Sequence, residues 1–169
     1  MLILQEINII KYNINMLDIE DCKKKLDKKS RLMGIDPGRK RCGIAISDEN
    51  KIVATPYTTI IKNNYSKFID DIKKIIKENN IKGIIVGNPI NLDGTPSRSS
   101  KSAKDLAINL SKDITENITM WDERLSSQAA FNLSSDLNVN TTRKVKKLDE
   151  NAAQFILQGA LDYLTKENT

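Results

Sequence analysis

Histidine is absent from all 169 residues. That excludes Ser-His and Cys-His nucleophile pairs, imidazole general bases and His-rich transition-metal sites together. Any catalysis must run on carboxylates, lysine, tyrosine or a metal held by oxygen ligands. Only two cysteines occur, Cys22 and Cys42, too few for a zinc cluster and without the spacing of a disulfide framework, which fits a reducing compartment. Aromatic residues make up 5% of the chain, thin provision for stacking on bases. Trp121 is therefore expected in the core or as a wall of a site, and any nucleic acid would be recognised by backbone and shape. No apolar run approaches the roughly 20 residues that span a bilayer. The opening "MLILQEINII" carries Gln5, Glu6 and Asn8 inside its apolar stretch and makes a poor signal peptide. The expectation is a cytoplasmic protein with no membrane partner.

What is present describes one compact domain. Apolar residues make up 39% and charged residues 29%, an ordinary balance for a globular chain too short for two domains and a linker. The net charge is +5 and the pI about 9.1, which favours a polyanionic partner, although a mildly basic protein without one has the same balance. Distribution says more than the total. Thirteen of the 27 cations fall in "KKKLDKKSR" (23–31), "RKR" (39–41) and "RKVKK" (143–147), and all three flank segments that carry carboxylates.

Residues 1–30 form an extension, partly disordered or with a short helix from Asp18 to Leu26; Met16 offers a second start, which would make residues 1–15 dispensable. Residues 31–166 read as the folded domain. Leu32–Asp36 is a strand, Cys42, Ile44 and Ile46 alternate with small residues in a second, and Ile52–Ile61 is a third, with Pro56 marking a break or an exposed edge. Links this short favour an antiparallel meander. Helical period begins at Ser66, with Phe68, Ile69, Ile72, Ile75 and Ile76 on one face. "IKGIIVGNP" (81–89) has the continuous apolar character of a central strand. A second helix at Ala103–Leu110, a fifth strand at 117–123, a short helix at Ala129–Leu137 and a last helix through Ala152–Leu164 follow, with loops at 89–98 and 138–147. The order β-β-β-α-β-α-β-α-α predicts an α/β fold: a mixed five-stranded sheet with helices on both faces.

Acids stand at the ends of three of these elements. Asp36 closes the first strand; a turn is the plain reading of Asp-Pro-Gly by itself, but Gly34 and Gly43 leave room for close approach to the backbone. Asp122 and Glu123 end the fifth strand; alternation points them to opposite faces, so only one can join Asp36, and period does not say which. Asp149 precedes the last helix, where capping would account for it and the helix N-terminus would also keep it ionised. Carboxylates meeting at one rim of a sheet repel strongly. Without histidine, the remedy is a hard cation with oxygen ligands, Mg²⁺ or Mn²⁺. Two such ions about 4 Å apart would serve phosphodiester hydrolysis, with the adjacent cations on substrate phosphates.

"MGIDPGRKRCGIAISD", "IIVGNPINLDGTPSR", "WDERLSSQAA" and "LDENAAQFILQGALDYL", in this order and spacing, resemble the YqgF family of bacterial RNase H-like proteins, which comprises pre-16S rRNA nucleases and Holliday junction resolvases. The resemblance covers roughly residues 31–164. It implies the RNase H fold, a cytoplasmic divalent-metal nuclease, and a role in maturing the 5′ end of small-subunit ribosomal RNA, with the small-subunit precursor as partner. By motif position it implies Asp36, Glu123 and Asp149 as catalytic, metal-holding residues, choosing Glu123 over Asp122. Arg41, Arg98 and Arg124 match the family's arginines; with Lys40, Arg143 and Lys144 they are the expected phosphate contacts, solvent exposure being the plain alternative. The chain departs from the family at Asn88, where an apolar residue is common, and near Pro96, where glycine is more usual, so recognition by that loop carries over least.

A four-way DNA junction is the alternative substrate; its symmetrical cleavage would need a dimer, and the chain reads as a monomer or weak dimer. Gly-Ile-Asp-x-Gly also opens the phosphate-binding strand of sugar kinases and actin-like ATPases, but those need two such domains, which 169 residues cannot supply. The third reading is a non-catalytic RNA-binding factor in ribosome assembly.

Overall fold

The computed structural model describes Met16, residues 18–125 and residues 141–166, the last segment with side chains from Glu150 onward. Its elements are α1 (Ile19–Lys24), β1 (Arg31–Pro37), β2 (Arg41–Ser47), β3 (Ala54–Ile61), α2 (Tyr65–Glu78), β4 (Ile81–Asn88), α3 (Arg98–Asp113), β5 (Asn117–Asp122), a 3-10 turn (Glu123–Leu125) and α4 (Thr141–Lys166). The expected short helix at 129–137 lies outside the described residues. No described helix is long and apolar enough to cross a membrane.

The five strands form one sheet in the order β3-β2-β1-β4-β5. β1 pairs antiparallel with β2, and β2 with β3, as short turns dictate. β4 and β5 follow helical crossovers and run parallel to β1. This topology creates the candidate site, because β1, β4 and β5 all end at the same rim, carrying Asp36, Asn88 and Asp122 there together.

Alternation divides the apolar side chains between two cores. Met33 and Ile35 of β1 and Ile84 and Val86 of β4 pack with Phe68, Ile72 and Leu110 of α2 and α3. Leu32 and Ile85 face the other way, towards Cys22 of α1 and Ala153, Leu157 and Leu161 of α4. Trp121 joins this second core, edge-on to Tyr163 with ring centroids 5.7 Å apart. The helices start where side chains satisfy their first free N–H groups: Asp18, Asn64 and Ser97 accept from the backbones of Asp21, Lys67 and Ser100.

Two expectations at α4 are corrected. The polar stretch expected to be a loop at 138–147 is helical from Thr141, since Lys, Arg and Leu are good helix formers and no Gly or Pro interrupts them. Asp149 consequently lies inside α4, two turns from its start, and is not an N-cap. The third strand begins at Ala54, two residues later than expected, because Asp48 accepts from the backbones of Ile52 and Val53 and holds them in the turn. Pro56 lies on edge strand β3, beside a bulge: Ile44 pairs with Thr58 and Ala45 with Pro56, leaving Tyr57 as the extra residue.

Candidate active site

The site is built where β1, β4 and β5 end. Gly87, near the end of β4, has no side chain, and that space is occupied by its neighbours. A Cβ there would stand 2.5 Å from Ile156 Cδ1 and 2.6 Å from Glu123 Oε1. Glu123 therefore lies over the β4 backbone on the α4 side of the sheet. Asp36 shares that side by alternation with Leu32 and Gly34, whose missing Cβ position faces Leu157 and Ala153.

The environment of Glu123 is unfavourable to its charge. Burial, then the carboxylates of Asp36 and Asp122, push its acid up to about 7 from an ordinary 4.5. Such a group binds a proton or a cation in preference to standing ionised beside another acid. Asp122 has a different role. Its carboxylate accepts from Arg124 Nε at 3.0 Å, Arg124 Nη2 at 2.6 Å and the Arg124 backbone N–H at 3.0 Å. These bonds hold Asp122 below the usual carboxylate range. β5 ends at Asp122, which turns away from Trp121, and the 3-10 turn brings Glu123 back over Gly87.

The basic residues expected on phosphates are distributed around this rim. Lys40 and Arg41 are exposed at the β1–β2 turn, next to Asp36, and Arg98 is exposed as the first residue of α3. Gly38 is required in that turn, since a Cβ would collide with the Arg41 carbonyl oxygen. Arg124, steered by Asp122, extends to within 3.6 Å of the position a Gly94 Cβ would take, in the 89–97 loop. Arg143 and Lys144 lie in the first turns of α4, and their side chains are outside the described residues.

Asp149 is placed by its backbone. α4 crosses β1 at Gly34 through Ala153 and Leu157, and Gln154 and Gln158 hydrogen-bond to Ala54 at the far end of β3. One turn nearer the helix start, Glu150 accepts from Thr59 Oγ1 at 3.4 Å. Thr59 pairs with Gly43, and Gly43 with Asp36. Residues 149–150 thus lie towards the end of the sheet that carries Asp36. The Asp149 carboxylate is outside the described side chains, and among the described residues no three acid, thiol or imidazole groups form a metal cage.

Three residues at this rim escape sequence reasoning. Glu150 stands in the cross-strand row of Asp36. Lys62 steadies the basic turn, its Nζ donating to the Gly38 carbonyl at 3.0 Å and its backbone N–H to that of Lys40 at 2.8 Å. Ser100, buried in the first turn of α3, donates to Asn88 Oδ1 at 2.6 Å and fixes that amide at the end of β4. Only a knowledge of strand register connects any of them to Asp36.

Comparison with known proteins finds sequence relatives over most of the chain. The chain is 54% identical over 149 residues to a "Putative pre-16S rRNA nuclease" of Pelagibacter ubique, covering 88% of this chain and 99% of the relative. It is 38% identical over 146 residues to a protein of the same name from Rhodobacter capsulatus, covering 86% and 92%. A solved structure of T. thermophilus RuvC in complex with Holliday junction substrate aligns with a TM-score of 0.49 at 7% identity, covering 83% of this chain and 97% of that one. The mixed five-stranded sheet with helices on both faces is the α/β architecture that the sequence pattern predicts. The family model for RuvX, described as Holliday junction resolvase, matches residues 30–163, and the chain belongs to that family of nucleases.

Proposed function

We propose that this chain is a divalent-metal-dependent endonuclease that hydrolyses phosphodiester bonds in structured precursor RNA, maturing the 5′ end of pre-16S rRNA in the cytoplasm. The observation that carries the reading is Glu123, half-buried over Gly87 with its acid raised to about 7 by burial and by Asp36. The donor set fits a hard cation: oxygen ligands only, mutually repelling, at the open rim of a sheet. Asp36 and Glu123 would hold Mg²⁺ or Mn²⁺, with Asp149 as the third ligand by its place in α4. When bound, such an ion supplies Lewis-acid stabilisation of charge on phosphoryl oxygens and activation of water.

The remaining roles belong to the chain itself. Burial and the neighbouring carboxylates favour the protonated form of Glu123 in the ion-free molecule, and a bound cation would take the place of that proton. Asp122 orients Arg124 towards the 89–97 loop, so that a phosphate there meets a fixed guanidinium. Lys40, Arg41 and Arg98 receive the backbone on either side, with Arg143 and Lys144 extending the basic track. Recognition then follows backbone shape, in keeping with a buried Trp121 that has no face to offer a base.

The relatives' shared name supports precursor rRNA as substrate, and the family description supports a four-way DNA junction as the second reading. Purified chain incubated with labelled precursor rRNA and with a synthetic four-way junction, each with Mg²⁺ and with EDTA, distinguishes them. Mg²⁺-dependent cleavage of the RNA that disappears in Asp36→Asn while binding persists is the expected result. Cleavage of the junction alone would transfer the function to DNA, and binding without cleavage of either would make the chain an assembly factor.

A further inference from the structure

The chain's positive charge is concentrated away from the candidate site. Residues 23–31 hold six cations and one acid, a net +5 that equals the net charge of all 169 residues. The run spans the end of α1 and the loop that leads into Arg31, the first residue of β1. Asp36 lies five residues further along that strand, so about 17 Å of extended backbone separates the loop from the rim. All but the last two residues of the run precede the segment shared with the family, so the family's common machinery does not account for it.

Hydrogen bonds hold the loop in one shape. Asp27 accepts from the backbone N–H groups of Lys29 at 2.9 Å and Ser30 at 2.7 Å, and the buried Ser30 hydroxyl donates to the Asp27 carbonyl at 2.8 Å. Asn80, left-handed between α2 and β4, donates its side-chain amide to the Lys29 carbonyl at 3.1 Å, and its own carbonyl accepts from the Arg31 backbone N–H at 3.1 Å. Beyond Asn80 the strand register slips: Arg31 pairs with Ile81 and Leu32 with Gly83, which leaves Lys82 as an extra, exposed residue at a bulge.

Lys23, Lys24 and Arg31 have partners in the Leu164 carbonyl, Asp21 and Glu49. Lys25, Lys28, Lys29 and Lys82 are exposed and form no ion pair among the described residues. Lys73 and Lys77 share a hollow with Asn80 and Lys82 and extend this positive surface, outnumbering the two acids there, Asp113 and Glu116. Leu26, the one large apolar residue of the loop, packs inward beside Gly83. The loop therefore presents fixed charge with no apolar group to insert into a bilayer and no aromatic face for a base, which suits the phosphate backbone of a nucleic acid.

We propose that loop 25–30, with Lys82, is a second, non-catalytic RNA-backbone site, which anchors a distant segment of the structured precursor at the end of the sheet opposite the cut. The proposal rests on the RNA substrate proposed above. Binding measured without metal separates it from the cleavage chemistry.

The test compares Lys28→Ala/Lys29→Ala with Lys67→Ala/Lys104→Ala, which removes the same charge from exposed positions on α2 and α3. Fluorescence anisotropy of labelled precursor rRNA in EDTA, over a salt series, reads binding alone. The loop pair should bind about tenfold more weakly than wild type, with the slope of log K against log salt reduced by about 1.5, and the helix pair should stay within about twofold. With Mg²⁺ the loop pair should show a KM raised about tenfold and an unchanged kcat on the precursor. A tetranucleotide across the cut, too short to reach the lysines, should be cleaved as by wild type, and Lys28→Arg/Lys29→Arg should restore binding of the long RNA. RNA affinity that is unchanged in the loop pair, or that falls equally in the helix pair, overturns the anchor and leaves the nuclease reading standing, as does equal loss on the tetranucleotide. Binding of phosphatidylserine vesicles that the loop pair loses while keeping its RNA affinity overturns it in favour of a lipid surface. A chain that binds the precursor without cutting it fails the nuclease reading alone, and one that binds no RNA overturns both.

Discussion

Replacing Glu123 with glutamine should stabilise the ion-free protein, and only above a definite pH. The folded protein holds the Glu123 proton more tightly than the unfolded chain, with an acid near 7 against 4.5. The stability linked to that proton is complete below pH 4.5 and is lost as pH rises through 7. A displacement of that size corresponds to about 3 kcal/mol at most, less whatever solvent screening removes from a half-buried group. Glutamine cannot ionise, so the variant escapes the loss. In EDTA the two proteins should show a constant difference in unfolding free energy below pH 4.5, and the variant should gain by up to about 3 kcal/mol by pH 8, or roughly 6–12 °C in Tm for a chain of this size. Mg²⁺ at pH 8 should stabilise wild type and leave the variant unmoved, closing the gap, and cleavage should be lost in the variant. Urea unfolding across the pH series measures the first effect and thermal melts the second. A difference that stays flat from pH 4.5 to 8, or changes in the opposite direction, would refute the crowding of Glu123 by burial and by Asp36.

Asp36→Asn removes one of the charges pressing on Glu123 and should raise ion-free stability at pH 8 while abolishing Mg²⁺-dependent cleavage; equal or lower stability in EDTA counts against a shared cation. Gly87→Ala places a methyl group against Ile156 and Glu123 and should cost about 1–3 kcal/mol by urea unfolding, with cleavage reduced more than RNA binding. Asp122→Ala should cost under about 1 kcal/mol, since its pair with Arg124 is partly exposed, but should raise KM by freeing the guanidinium, and loss of folding instead would contradict this division of roles. RNA affinity should fall steeply with salt, the slope of log K against log salt shrinking by about one for Arg98→Ala, and an unchanged slope would remove Arg98 from the phosphate contacts.

The architecture was legible wherever a pattern was strong. The apolar run at β4 and the regular isoleucine face of α2 announced a central strand and a covering helix, and short turns against long crossovers separated antiparallel from parallel pairing. Two features were hidden for physical reasons. The first turns of α4 carry helix-forming but mostly polar residues without an apolar stripe, so the segment read as a loop and Asp149 as its cap. The choice between Asp122 and Glu123 required knowing which core Trp121 enters. Once Trp121 is placed beneath α4, the next residue must turn away and the one after return, and Asp122, facing away, is engaged by Arg124 two residues on. Glu150, Lys62 and Ser100 act through register, which no local pattern encodes.

Gly34 has a consequence out of proportion to its size. A Cβ there would come within 2.7 Å of Leu157 and 2.9 Å of the Ala153 carbonyl, so the smallest side chain would lift α4 off the sheet by about 1 Å. The helix is stiff, and its segment at residues 149–150 would travel with it, opening the rim like a hinged cover. Displacement on that scale is enough to cost on the order of a hundredfold in rate. The alignment of the candidate site is therefore set partly by an empty position in the middle of the first strand, whose residue lies outside the proposed set of ligands.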